Sequence, residues 1–217
     1  MCFSAGASFT SGVLLTFVGT ETLRKVHKPS HIVFAGIPLF FAAQQFAEGT
    51  LWTAMSHAGC AGLQRTSTYS FVVMAQVIWP LLIPLSVLLM EESRIRKRIL
   101  FSLLGIGAVV ATYYSYYLVF YRIHAEISCR HIAYQSASQD SLGKIPLTLY
   151  LAATIIPLFA SSFKRMYVLG IIMTVSFMVS AVFYFQCLTS VWCFFAAVMS
   201  LAIFYIIRDE HKKFLLR

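Results

Sequence analysis

Gln44, Gln45, Glu48 and Trp52 are the residues whose types and spacing could do chemistry in this chain. At about 100° per residue they share one face of a helix. They sit in an apolar run from His31 to Ser56 that is otherwise built mainly of Phe, Ala, Ile and Leu. A carboxylate flanked by two amides is costly in such surroundings unless it faces a partner, an ion or water. Two uses fit. Glu48 acts as a proton donor and acceptor or a ligand contact, with the glutamines orienting substrate or water. Alternatively, it ties two helices together through hydrogen bonds and does nothing else.

The elements that carry these residues follow from composition. The 217 residues are 59% hydrophobic and only 12% charged, with a mean hydropathy of +0.77. A soluble domain of this length cannot bury so much apolar surface, so a lipid bilayer must solvate part of it. The net charge of +9 raises nucleic acid as a partner in principle. Here the basic residues fall in short clusters between apolar runs, the signature of cytoplasmic loops, and nucleic-acid binding is not supported.

Seven apolar segments are long enough to span a bilayer, at roughly 20 residues each. They are 4–23, 31–56, 67–90, 99–121, 145–161, 166–185 and 188–207. The fold expected is an all-α bundle of seven transmembrane helices in a single domain, 1–217. Six spans with one re-entrant segment is the alternative. Of the 17 Lys and Arg, thirteen lie in alternate loops or the C-terminal tail, among them Arg24, Lys97, Arg165 and Arg208. Arg65, Arg122, Arg130 and Lys144 lie on the other side. The positive-inside rule then puts the N-terminus outside and the C-terminus in the cytoplasm.

Measured along each helix at 1.5 Å per residue, Ser8, Glu48, Gln76, Tyr113, Tyr114, Ser180 and Cys193 fall about 4–8 Å outward of the midplane. Several helices thus contribute polar groups at one level. Trp79-Pro80 and Pro84 interrupt the third span, and each proline removes a helical hydrogen bond. By ordinary helical spacing the carbonyls of Gln76 and Pro80 are freed and need donors. The stretch Glu91–Arg98 reads as a solvated cytoplasmic connection, and Arg122–Lys144 as the longest outer loop.

All five cysteines lie on or near the outer side: Cys2, Cys60, Cys129, Cys187 and Cys193. An oxidising exterior favours a bridge between loop cysteines, most simply Cys60 with Cys129, although spacing does not fix the pairing. Cys2, Glu48 and Cys193 together would offer thiolate and carboxylate ligands to a divalent metal such as zinc. No CxxC or HxxxH spacing accompanies them. As small apolar residues, buried cysteines also simply pack.

The opening Met1-Cys2-Phe3-Ser4-Ala5-Gly6-Ala7-Ser8-Phe9, the Gln44–Trp52 stretch, Trp79-Pro80 and Ser190-Val191-Trp192-Cys193-Phe194-Phe195-Ala196-Ala197 resemble an uncharacterised family of bacterial integral membrane proteins. The resemblance implies a small multi-pass protein of the inner membrane and draws notice to Cys2, Glu48 and Cys193. It carries no activity. Other seven-helix classes fit poorly: 188–207 lacks the lysine a retinal protein needs, no histidine is central, and Gly-x-Ser-x-Gly is absent.

The function expected is a polar site in the outer half of the bundle, centred on Glu48, that binds a metal or small molecule and acts as an enzyme if it is catalytic. Glu48 and Cys2 would be the catalytic groups. Gln44, Gln45, Gln76, Trp52, Tyr113, Tyr114 and Ser190 would contact the ligand. The alternatives are a proton-coupled transporter with Glu48 as proton carrier, and a non-catalytic sensor or assembly subunit.

Overall fold

Hydrocarbon offers no hydrogen bonds, so a chain this apolar satisfies its backbone inside helices. The computed structural model describes residues 4–57, 59–128, 131–136, 144–184 and 187–215. Helix α1 (Ala5–Arg24) is capped by Ser4, whose Oγ accepts from the Ala7 amide at 3.3 Å. A 3₁₀ turn, Pro29–His31, leads into α2 (Ile32–Met55). Helix α3 (Ala61–Val72), a π-helical stretch (Val73–Ile78) and α4 (Trp79–Met90) run on as one rod. Helix α5 (Arg94–Phe120) follows, then strands β1 (Ile123–Ser128) and β2 (His131–Ser136). Helices α6 (Ile145–Ala160) and α7 (Lys164–Phe183) precede α8 (Leu188–Val198) and α9 (Ser200–Leu215), which are separated only at Met199.

Among the described residues, five helical rods are long and apolar enough to cross a membrane: Pro29–Met55, Ala61–Met90, Arg94–Phe120, Lys164–Phe183 and Leu188–Asp209. Helix α6 is apolar but has only 16 residues. Helix α1 has 20, yet Ser8, Ser11, Thr16, Thr20, Glu21 and Arg24 lower its hydropathy, and it is not among the five. It packs along α2 through small residues: a Cβ on Gly19 would lie 2.6 Å from Leu39 Cδ2, so glycine is what lets the two backbones approach. Helix α9 lies against α1, so the first and last helices adjoin. The main core runs between the rods and includes Phe34, Phe41, Trp79, Leu100, Tyr150 and Ile203.

The prolines work differently from the expectation. In the π segment hydrogen bonds run five residues back, as Trp79 N–H to Met74 O shows. The N–H missing at Pro80 therefore orphans the Ala75 carbonyl, not that of Gln76. Tyr150 Oη donates to Ala75 O at 2.6 Å and repairs the loss from α6. The carbonyl of Pro80, freed by Pro84, abuts Gly107 on α5, where a Cβ would come within 1.9 Å of it. No other residue fits there.

The expectation of an all-α chain needs one correction. Strands β1 and β2 form an antiparallel hairpin, pairing Ile123 with Ser136 through Ser128 with His131. Ile-His-Ala-Glu-Ile-Ser alternates with period two, so a strand pattern runs through the expected outer loop. Ala125 and Ile132 bury against Leu51 and Trp52 of α2. Tyr134 stacks on Phe71 with ring centroids 4.7 Å apart. The Cys187 thiol donates to Ser128 O at 3.6 Å. A two-stranded hairpin is marginal alone, so this one is held by the bundle end it covers.

At the opposite end the stretch Glu91–Arg98 is not simply solvated. Glu91 is 1% exposed. Its Oε1 accepts from the amides of Glu92 (3.1 Å) and Ser93 (3.0 Å) and from Ser162 Oγ (2.6 Å), and its Oε2 accepts from Ser162 N (2.7 Å). Arg96 Nη1 donates to the carbonyls of Ala160 (3.1 Å) and Ser161 (2.6 Å). The turn after α4 and the turn after α6 are thereby clasped together.

Candidate functional site

The 3.6-residue repeat of α2 stacks Gln44, Glu48 and Trp52 in a column about 12 Å long, with Gln45 beside it. All four are buried; Gln44 and Glu48 are 0% and Gln45 1% exposed. Ser190, on the first turn of α8, donates to Glu48 Oε1 at 2.6 Å. The carboxylate thus lies against the N-terminal turn of a helix, the end where the backbone dipole favours negative charge. One turn along, Trp79 Nε1 donates to Gln44 Oε1 at 2.9 Å. An indole N–H only donates, so this bond fixes which end of the amide is oxygen.

Several buried polar atoms around this column have no hydrogen-bond partner among the described residues: Gln44 Nε2, Gln45 Oε1, Trp52 Nε1 and, on α1, Ser8 Oγ. Folded proteins rarely leave such atoms unmatched, and clusters of them mark places where water or a ligand completes the shell. Gln44 lies beside the Cys193 thiol, yet its Nε2 finds no acceptor there at ordinary geometry. Cys193 belongs to a small apolar cluster with Phe71, Val72 and Leu118 that the hairpin covers through Ile123 and Tyr134. The site is roofed by β1 and β2.

The expected residues are thus brought together in part. Glu48, Gln44, Gln45, Ser190 and Cys193 share one region, and Trp52 closes it toward the hairpin. Gln76 is half-buried in the π segment and is not among the wholly buried polar residues. Tyr114 is buried with its ring edge-on to Tyr150, 6.4 Å between centroids. Tyr113 is half-buried and packs in a run of tyrosine rings with Tyr114 and Tyr117.

Cys2 and Cys129 lie outside the described residues, so the Cys2–Glu48–Cys193 set and the Cys60–Cys129 bridge fall there too. Cys60 is a half-exposed free thiol at the start of α3. Among the described residues no three His, Cys, Asp or Glu side chains stand close enough to hold a metal ion, and the metal expectation is unsupported.

Two participants are not apparent from sequence. Trp79 reads as part of a kink, although a tryptophan beside a proline in mid-span has a donor that needs an acceptor. Tyr150 gives no signal beyond being a lone tyrosine in an apolar helix. Beside Gln44, residues including Phe41, Trp79, Tyr150, Met173, Trp192 and Cys193 line a narrow cavity of about 20 Å³, room for one water.

No curated protein and no solved structure matches the chain. A family model matches residues 1–214, nearly the whole sequence, and the protein belongs to the family it describes, "Family of unknown function (DUF6629)".

Proposed function

We propose that this chain is a seven-span protein of the bacterial inner membrane, N-terminus outside, that binds a small polar ligand at Glu48 beneath the β-hairpin. The observation that carries the reading is the set of buried amide, indole and hydroxyl atoms on α1 and α2 left without partners, among the described residues, around a carboxylate already oriented by Ser190. A pure helix tie would have no use for Gln44, Gln45 and Trp52 around it, because each buried polar group left unmatched costs about 1–3 kcal/mol. Glu48 would accept a hydrogen bond or proton from the ligand, Ser190 would hold the carboxylate in place, and Gln44 and Gln45 would orient the bound molecule.

Native mass spectrometry on purified protein tests this. Wild type should carry an additional small-molecule mass that Glu48→Gln loses while its helical circular dichroism is unchanged. Equal masses for the two proteins would refute the site. The orientation is tested separately: an impermeant thiol reagent should label Cys60 on intact cells, and labelling only after lysis would reverse it.

One observation favours proton-coupled transport as the second reading. The last rod is interrupted at Met199, between α8 and α9, and interrupted spans recur at transporter binding sites. Proton uptake into vesicles that depends on Glu48 would favour that reading over simple binding. An intact fold with neither ligand nor uptake would leave the sensor or assembly role.

A further inference from the structure

The hairpin end of α3 presents a polar face where that of α5 does not. Arg65, Thr66, Tyr69, Ser70 and Val73 line an open groove of about 490 Å³ there, within the size range of small-molecule sites. Residues at i, i+4 and i+8 share a helix face, so the groove runs lengthwise along the rod. Arg65, Thr66 and Ser70 are exposed, and Tyr69 and Val73 are half-buried. At the hairpin end of α5 the exposed residues include Tyr116, Val119 and Phe120, an ordinary lipid-facing surface.

The Arg65 charge is not used inside the fold. Among the described residues it has no ion pair, whereas at the opposite end Arg24 pairs with Glu21, Lys28 with Glu92 and Arg165 with Asp209. Its guanidinium lies over the Tyr69 ring, 5.8 Å from the centroid, a cation–π contact one turn further along the helix. A ring face holds the cation in place but does not use up its five N–H donors. Thr66 Oγ1 donates to Gly62 O at 3.0 Å, while the exposed Ser70 hydroxyl is uncommitted among the described residues.

Depth identifies what meets this face. The rod Ala61–Met90 ends at the Glu91 turn, just ahead of the basic run from Arg94 to Arg98. At 1.5 Å per residue Val73 lies about 27 Å from Glu91, Ser70 and Tyr69 about 32–33 Å, and Arg65 about 39 Å. The hydrocarbon core of a bilayer is about 30 Å thick, and its headgroup layer adds roughly 5–7 Å on each side. Val73 thus ends the acyl region, Ser70 and Tyr69 sit in the headgroup layer, and Arg65 leans onto that layer from just above it. We infer that this groove binds one anionic phospholipid from the leaflet on the hairpin side. The Arg65 fork would take the phosphate. Ser70 would donate to a phosphate or ester oxygen, and the acyl chains would run past Val73 into the hydrocarbon. No acidic side chain lines the groove among the described residues, so nothing there opposes the phosphate. The inference needs only that this rod cross a bilayer; neither the span count nor the Glu48 site enters.

The test titrates purified protein in detergent with phosphatidylglycerol or phosphatidylcholine of identical acyl chains and follows amide hydrogen exchange over 61–73. Exchange reads the place of binding, which a bound mass does not, since basic loops at the other end also attract anionic lipid. Both lipids present a phosphate, but phosphatidylcholine adds a cation beside it. Phosphatidylglycerol should protect this stretch at about 5-fold lower concentration than phosphatidylcholine. Arg65→Gln should erase the difference, and Arg94→Gln at the opposite end should keep it. Inorganic phosphate alone should protect nothing. Equal titrations of the two lipids, no protection by either, protection by inorganic phosphate, or a preference that survives Arg65→Gln would overturn the inference. Loss of the preference in Arg94→Gln would overturn it too, since the attraction would then follow net charge rather than this groove.

Discussion

Glu48 and Glu91 are two wholly buried carboxylates at opposite ends of the same bundle, and their surroundings are opposite in kind. Around Glu91 four hydrogen bonds from three backbone amides and one serine hydroxyl close the shell. Every donor there belongs to the two turns it joins, and nothing is left over for a visitor. Around Glu48 the Ser190 hydroxyl holds one oxygen, while the amides, indole and hydroxyl beside it include atoms without partners among the described residues. Burial alone therefore says little about function. On the function proposed above, saturation of the neighbours separates a carboxylate that builds the fold from one that would be set aside for a ligand.

The largest effect should come from breaking the saturated end. Glu91→Ala orphans the amides of Ser93 and Ser162 together and frees both turns, and should cost about 3 kcal/mol of unfolding free energy in detergent. A loss under about 1 kcal/mol would mean water replaces the carboxylate freely.

Tyr150→Phe sharpens the same comparison in the middle of the bundle. It removes only the hydroxyl that matches Ala75 O, and should cost about 1–2 kcal/mol. Its signature should be local: faster amide exchange around 75–80 and unchanged exchange at Glu91.

The pH dependence should also belong to the Glu91 end. Burial pushes the Glu91 carboxyl up, but hydrogen bonds from the Ser162 hydroxyl and the backbone of Ser93, Ser162 and Glu92 outweigh it and hold the group below its ordinary value of 4.5. A lowered pKa contributes stability that is complete above the unfolded value and lost as pH falls through the folded one. Stability should thus be flat from neutral pH to about 5 and decline below about 4.5, and in Glu91→Gln this acid-limb decline should be reduced. An unchanged acid limb in that variant would assign the decline to other groups.

Much of the fold and part of the site are legible in the sequence, for specific reasons. The polar face of α2 can be read because lipid and core packing alone do not call for Gln, Gln, Glu and Trp at a 3.6-residue repeat inside an apolar run. Ser190, expected at the site from sequence, does reach Glu48 on α2. The hairpin is harder to see although 123–128 alternates cleanly, because spans on either side make the segment look like a connection. The burial of Glu91 is not legible: it depends on Ser162, 71 residues later, and nothing in Glu-Glu-Ser-Arg says which carboxylate turns inward. The π stretch shifts the orphaned carbonyl by one residue, a change that Pro80 alone cannot announce.

The most direct test sets the two carboxylates side by side: unfolding free energies of Glu48→Gln and Glu91→Gln, measured in the same detergent at neutral pH. Glutamine keeps the shape and one acceptor but removes the charge. The account predicts that Glu91→Gln loses about 2 kcal/mol, because four donors converge on that charge, whereas Glu48→Gln stays within about 1 kcal/mol of wild type. A Glu48→Gln protein that loses several kcal/mol, as much as its Glu91 counterpart or more, would contradict the account and make Glu48 a tie between α2 and α8.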